Sequence, residues 1–343
     1  MMSQFVSLVQ LKDAAASNLS ADLADHIASA AGTEATLRRN LMAFESIAFR
    51  PRVLRDVSRV DTSGMVLDRK CRLPVVLAPV ASLHRIAPDA DCALVRAAGR
   101  FGVPTFISSI AEAGFEAIAG AGPGALALQL YVRQDPVEVA AIVKRAQDAG
   151  YAAIAVTVDS ANYGIRDRQR LGKYPSPATH APGRDHQARL TWEILDEIMS
   201  AAAPIPVMLK GIQTAEDAVQ AVRCGVKTLY ISNHGGRQLD HSRATLDVLR
   251  EVRAAIGPET TIILDSGIRR GTDVLKAIAL GANAVGLGRL MVWALAAGGE
   301  QGVVSMLELL EEEMQNAMAL LGVRSLAELN SSYVADVPPL SWS

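Results

Sequence analysis

Apolar positions along the chain follow two rhythms. Up to about residue 50 they recur at helical spacing: residues 6–16 read as one helix, Ser20 caps a second running to Ala31, Thr33 caps a third running through Phe44, and Pro51 closes the region. Beyond it, short apolar runs alternate with Ala-rich helical stretches. The runs cover 73–79, 105–109, 125–131, 153–159, 206–211, 228–234, 261–267 and 284–289, which makes eight strand candidates. Helical patterns such as 135–149 and 214–223 lie between most of them, and several connections end in Gly150, Gly225 or Gly281, the usual residue just past a helix. Strand then helix, eight times over, predicts an α/β fold, a (β/α)8 TIM barrel with extra N-terminal helices; an open doubly wound sheet is the alternative.

The chain reads as a single domain over 1–343, with leading helices in 1–50, the barrel in 70–320 and a loose tail in 331–343. One connection stands apart. Residues 160–189 carry no apolar periodicity but several Pro, Gly, Arg and His. A long loop after the fourth strand lies on the C-terminal face, where such loops often act as lids.

Composition narrows the picture. Half of the 343 residues are hydrophobic and only 4% aromatic, so the core must be built from Ala, Val, Leu and Ile, which suits parallel strands buried on both faces. A net charge of −2 lacks the basic footprint of a nucleic-acid binder. Cys71, Cys92 and Cys224 are far apart, with no metal or disulfide spacing. Residues 1–11 have no basic flank and no long apolar run, and nothing in the chain reads as a membrane span, so a cytoplasmic protein is expected.

Active sites of TIM barrels sit where the strands end. The sixth run ends in Asn233-His234-Gly235-Gly236-Arg237. Two glycines permit a sharp turn, and an imidazole and a guanidinium on one loop suit proton abstraction from an anionic substrate. The fourth run ends in Asp159, which either caps the next helix or faces His234 and stabilises its imidazolium. Lys210, near the end of the fifth, is either a solvated tip or a counter-charge for a cofactor. The seventh and eighth end in Asp265-Ser266-Gly267-Ile268-Arg269-Arg270-Gly271 and Gly286-Leu287-Gly288-Arg289, Gly-rich turns with Arg that fit the common phosphate site of this fold.

Assembled, these residues resemble the FMN-dependent α-hydroxy-acid oxidases and dehydrogenases, the group of glycolate oxidase, lactate oxidase and mandelate dehydrogenase. The resemblance rests on SNHGGRQLD at 232–240, with QLY at 129–131, TVD at 157–159, LKGI at 209–212, LDSGIRRGTD at 264–273 and GLGR at 286–289 in order. It implies FMN as cofactor and oxidation of a 2-hydroxy acid to a 2-oxo acid, a CH–OH oxidoreductase activity. His234 would be the base, Asp159 its partner, and Arg237 and Arg166 the clamp on the substrate carboxylate. Tyr131 would bond the reacting hydroxyl, and Lys210 would sit by the flavin N1 and O2 region. Pro79, Val80, Ala81, Ser108, Gln129, Thr157 and Ser232 would contact the flavin ring and ribityl chain; Asp265, Gly267, Arg269, Gly288 and Arg289 the ribityl chain and phosphate. It further implies a small anionic substrate, oxygen or another electron acceptor, and a homo-oligomer, a tetramer as in relatives.

The departures fall on substrate recognition. His26 stands where the family usually has a Tyr on the substrate carboxylate; it is either a replacement donor or a helix-surface residue. The Gly-rich run after it is Ala30-Ala31-Gly32, and the large residue after the second strand is Ile110. The loop after strand four is shorter than in many relatives and lacks the apolar membrane-binding insert of some of them. Glycolate and lactate are therefore expected to be poor substrates. Two other functions stay open at this point: flavin-dependent oxidation of an amine or of a larger biosynthetic intermediate, and a non-redox barrel.

Overall fold

All eight runs form strands of one closed, all-parallel barrel in the computed structural model, which describes residues 5–133, 135–172 and 184–338. They are β1 (Val75–Leu77), β2 (Thr105–Ser108), β3 (Leu126–Leu130), β4 (Ala153–Thr157), β5 (Val207–Ile212), β6 (Thr228–Ile231), β7 (Thr261–Leu264) and β8 (Ala284–Leu287). Each pairs with its neighbours in chain order, and β8 closes on β1. The open sheet is thereby excluded.

Side chains alternate across each strand, so the barrel has two separate apolar layers. Ile107, Leu128, Ile154, Leu209, Leu229 and Leu264 pack outward beneath the helices. A small inner cluster of Val76, Phe106, Ala127, Ala153, Ala155, Met208, Tyr230, Ile263 and Ala284 fills the cylinder. Phe106 and Tyr230 meet edge to face at 5.7 Å, a favoured aromatic geometry. An antiparallel hairpin, Gly64–Val66 with Arg69–Cys71, adds Val66 and Cys71 to the inner cluster.

The leading helices are α1 (Leu8–Asn18), α2 (Ala21–Ala28) and α3 (Ala35–Glu45). Ser7 and Ser20 cap the first two through their side chains. Thr33 does not cap the third: Glu34 occupies that place in a left-handed conformation, and the Thr33 hydroxyl bonds Asp240 instead. The last helix, Arg289–Leu321, bends at Gly298 and Gly299. It is long and apolar enough by composition to cross a membrane, contrary to expectation, but 72% of its apolar window is buried inside the structure. Nor is the tail loose as far as residue 338; its last residues, 339–343, lie outside the described residues. Residues 331–333 form a 3-10 turn, and Val334–Asp336 pairs antiparallel with Ile47–Phe49, tying the C-terminal segment to the leading region. Part of the expected lid, residues 173–183, lies outside the described residues; on either side of it stand short helices, Asp167–Leu171 and Arg184–Ala188.

Tyr230 is the bulkiest inward side chain, and its room comes from β8. A Cβ on Gly286 would lie 1.9 Å from the Tyr230 hydroxyl and 3.1 Å from Asp265 Cβ. Gly286→Ala is expected to cost about 1–3 kcal/mol by overpacking. Adding Tyr230→Phe should recover part of that loss, as read by chemical denaturation of the two variants; equal stability of Gly286→Ala and wild type would contradict this packing.

Candidate active site

Inward parity continues past the apolar layer to the C-terminal mouth. Phe106 is followed two residues on by Ser108; Ala127 by Gln129 and Tyr131; Ala155 by Thr157 and Asp159; Met208 by Lys210; Tyr230 by Ser232 and His234; Ile263 by Asp265. Ser108, Gln129, Thr157, Lys210 and Ser232 are each at most 3% exposed. Gln129 Nε2 donates to Thr157 Oγ1 at 2.7 Å. Lys210 Nζ donates to Ser232 Oγ at 2.9 Å and lies 3.4 Å from Asp265. Lys210 is therefore a buried cation over the barrel axis, not a solvated tip.

Above this floor runs a row of three groups. His234 Nδ1 lies 3.1 and 3.2 Å from the two Asp159 oxygens, and His234 Nε2 lies 3.2 Å from Tyr131 Oη. Burial alone would raise the Asp159 pKa, but the His234 ring, Lys210 and Ser160 outweigh it and hold the carboxyl below its usual range. Burial, with the Asp159 charge, pushes the Tyr131 phenol up to about 12. The phenol thus keeps its proton and donates to Nε2, while Nδ1–H donates to the carboxylate. Asp159 faces the histidine and does not cap a helix.

The backbone that presents His234 is strained. His234, Gly235 and Gly236 have φ of 59°, 67° and 75°, three successive left-handed residues. A Cβ at Gly235 would sit 2.6 Å from Arg289 Nη1, and one at Gly236 2.8 Å from the Leu37 amide. The turn is held by its surroundings. Asn233 and Asn40 of α3 exchange side-chain hydrogen bonds at 2.8 and 2.9 Å, the Asn233 carbonyl oxygen also accepts from Gly236 N, and Ser266 Oγ accepts from Gly235 N at 3.0 Å.

Arginines surround the row. Arg237 Nη1 donates to the carbonyls of His26 and Ser29, and Arg166 Nε to the carbonyl of Arg237. Burial first, then the neighbouring Arg166 and Arg289, push the Arg237 pKa well down. His26 belongs to this group. Burial, then Arg237, Arg166 and Arg85, lower its pKa to about 3. It is not a helix-surface residue, and it is neutral. Gln169 Nε2 lies 2.7 Å from its Nδ1 and also faces His26 O and Ser29 Oγ, whose own hydrogen goes to His26 O. Both oxygens act as acceptors there, so the amide nitrogen donates, Nδ1 accepts, and Nε2 carries the proton.

Arg269 and Arg289, the two arginines expected at the phosphate, have protein partners in this structure. Arg269 is exposed and paired with Glu45 at 3.1 Å, because the backbone there is turned by Asp273, which accepts from Arg269 N and Arg270 N. Arg289 donates to the carbonyls of Ile27, Gly235 and Ser29, fastening α2 to the histidine loop. Beside them the backbone is open to a phosphate: Gly288 precedes the Arg289–Leu321 helix, and a Cβ built on it meets nothing within 4 Å. Gly267 (φ 112°) packs on Asn40 and Phe44. Pro79, Val80 and Ala81 form a partly buried loop after β1, and Ile110, 37% exposed, flanks Ser108.

Sequence reasoning missed the scaffold inside its own best motif. Asp240 Oδ1 accepts from Thr36 N and Oδ2 from the Thr33 hydroxyl, pinning the start of α3. Gln238 bonds Ser160 Oγ and Gly164 N, joining the loops after β4 and β6. Their place in the SNHGGRQLD run was the available signal.

A floor of buried amide, hydroxyl and ammonium groups fits a flat heterocycle with ring nitrogens and carbonyls. Ser232 accepts from both Lys210 and His234 N, so its own hydrogen is left for a third partner. The open backbone at Gly288 fits a phosphate. Fold and site define a flavin-type barrel oxidoreductase. The profile of the family described as FMN-dependent dehydrogenase matches residues 15–184 and 170–336. L-lactate oxidase of Nostoc sp. is 36% identical over 97% of this chain and 99% of that protein. 4-Hydroxymandelate oxidase of Amycolatopsis orientalis is 40% identical over 94% and 96%. Among solved structures, a mandelate oxidase superposes with a TM-score of 0.89 at 39% identity, covering 98% of this chain and 100% of that one. A soluble mutant of (S)-mandelate dehydrogenase from Pseudomonas putida gives 0.90 at 30%, covering 97% and 100%. The chain belongs to the FMN-dependent α-hydroxy-acid oxidase and dehydrogenase family, and FMN is its cofactor.

Asp240 supplies a test of the scaffold. Burial would raise its pKa, but hydrogen bonds from the Thr36, His241 and Ala35 amides and the Thr33 hydroxyl carry it well below the carboxylate range. A carboxyl with a depressed folded pKa stabilises fully above its unfolded value of about 3.9 and loses that contribution as pH falls through the folded value. Asp240→Asn should therefore destabilise the protein at pH 7 by about 1.5–3 kcal/mol, the scale of charge-assisted hydrogen bonds. The gap to wild type should narrow as the pH is lowered below 4; a gap that widens in acid would refute the assignment.

Proposed function

We propose that this protein oxidises a 2-hydroxy acid to the 2-oxo acid. The observation that carries the reading is the Asp159–His234–Tyr131 row over a polar, cation-bearing floor. The oxidation breaks the substrate's Cα–H and O–H bonds and makes a C=O bond. Bound FMN supplies the two-electron acceptor. His234 takes a substrate proton at Nε2, which Asp159 leaves bare by accepting Nδ1–H, and Asp159 then stabilises the imidazolium. Tyr131, protonated, holds the reacting oxygen. Arg166 and Arg237 bind the carboxylate, with His26 as a neutral donor beside them. Lys210 would face the ring edge where negative charge collects on reduction, with Ser108, Gln129, Thr157 and Ser232 beneath the ring, Pro79, Val80 and Ala81 beside it, and Asp265, Gly267 and Gly288 toward the phosphate.

The named relatives act on lactate, glycolate and hydroxymandelate, which favours a hydroxy acid over an amine. Oxygen or another electron acceptor reoxidises the protein. We place the protein in the cytoplasm, a reading supported by its three free cysteines. A homotetramer is supported by exposed apolar side chains such as Leu54, Leu239 and Leu320, which a second subunit would cover.

His234→Ala should retain its yellow flavin yet reduce it about 10²–10⁴-fold more slowly with any active substrate. Anaerobic stopped-flow absorbance measures both at once, and bleaching at the wild-type rate would remove His234 from the chemistry. His26, with its pKa near 3, should add no limb to the kcat/KM profile between pH 5 and 8. His26→Ala should raise KM more than it lowers kcat. A profile whose acidic limb disappears in His26→Ala would contradict the neutral assignment.

A further inference from the structure

One cation at the mouth is left over by the chemistry just described. Arg133 follows Tyr131 by two residues, on the loop after β3. Its guanidinium carbon lies 4.8 Å from the centre of the Tyr131 ring and 5.5 Å from that of Tyr163, so it is sandwiched between the catalytic tyrosine and the loop after β4. Its Nε is buried without a hydrogen-bond partner. Among the described residues no carboxylate pairs with it, whereas Arg166, Arg168, Arg237 and Arg289 each donate to an oxygen. Burial lowers its pKa, and Tyr131 is the one titratable group that opposes this. Cation–π contact offsets part of the desolvation and leaves the donors unspent.

The charge tally points the same way. Arg133, Arg166 and Arg237 all bear on Tyr131, against one carboxylate, Asp159, which His234 already engages. The substrate carboxylate held by Arg166 and Arg237 leaves Arg133 without a counter-charge, one aromatic ring away from the base. We propose that Arg133 binds a second anionic group at the far end of the substrate, so that the preferred substrates are 2-hydroxy acids carrying another carboxylate. The inference rests on the hydroxy-acid reading above and deepens it.

The test is anaerobic flavin reduction of the holoenzyme by both enantiomers of malate and 2-hydroxyglutarate, against the chain-matched monoacids 2-hydroxybutyrate and 2-hydroxyvalerate. The diacids should reduce the flavin with at least about 10-fold higher efficiency, and Arg133→Met should cut the diacid-to-monoacid ratio by about 10- to 100-fold, as expected for a charge-assisted hydrogen bond. Arg133→Lys should keep part of the preference. Using the ratio cancels any effect of the variant on Tyr131 itself. Monoacids that match or outrun the diacids in wild type overturn the proposal and leave the hydroxy-acid reading standing, as does a ratio that Arg133→Met leaves unchanged. Reduction by neither class overturns both.

Discussion

In a closed barrel every second side chain of each strand points inward, and no edge exists at which this parity can be released. The inner layer of this protein is small and apolar, with Ala127, Ala153, Ala155 and Ala284 leaving space that Phe106, Met208 and Tyr230 fill. Two residues further on, the same parity delivers Ser108, Gln129, Thr157, Lys210, Ser232 and Asp265, and two beyond that Tyr131, Asp159 and His234. The polar floor and the reactive row are thus consecutive rungs of one ladder. Their spacing is a property of the pleat, so little backbone needs to be specially shaped to bring six strands' worth of chemistry together.

The exception is the turn at His234, where parity ends and strain begins. Three left-handed residues in succession cost energy that the surroundings must over-determine. They do so from three directions: the Asn40–Asn233 exchange from α3, Ser266 from the loop after β7, and Arg289 from the head of the last helix. Ser266 is itself left-handed, at φ 77°. The leading helices are therefore part of the catalytic scaffold. Asp240 and Gln238, a few residues past the histidine, fasten the same loop to the α3 start and to the loop after β4.

Element order and the chemical row were legible in the residues because each rests on a local pattern: apolar runs of strand length, and a glycine pair after a histidine. The protein partners of the arginines at 269 and 289 were not. Both stand in Gly-rich turns that suit a phosphate, but a guanidinium reaches far, and where it lands depends on partners distant in the chain, Glu45 for one and Ile27, Ser29 and Gly235 for the other. The same holds for the tail. Nothing within residues 331–343 announces a strand, because Val334–Asp336 is made one by pairing with Ile47–Phe49, nearly the whole chain away. Thr33 failed as a cap for a comparable reason, since Asp240 takes its hydroxyl and supplies the acceptor to Thr36 N.

Electrostatics at the mouth are divided by partner rather than by sign. Asp159 lies in the field of His234 and Lys210, which with the bond from Ser160 holds its carboxyl below the usual range despite burial, and Lys210 has a defined hydrogen bond to Ser232. Arg237 and Arg289 are satisfied by backbone carbonyls, which accept a hydrogen bond without cancelling the charge, and the site keeps a positive field toward whatever enters. His26 completes the pattern in the opposite way. A third guanidinium or an imidazolium beside Arg166 and Arg237 would be repelled, and the ring answers by staying neutral, with Gln169 taking its Nδ1 and turning an N–H toward the other side. A neutral donor among cations would give an entering anion direction without adding repulsion.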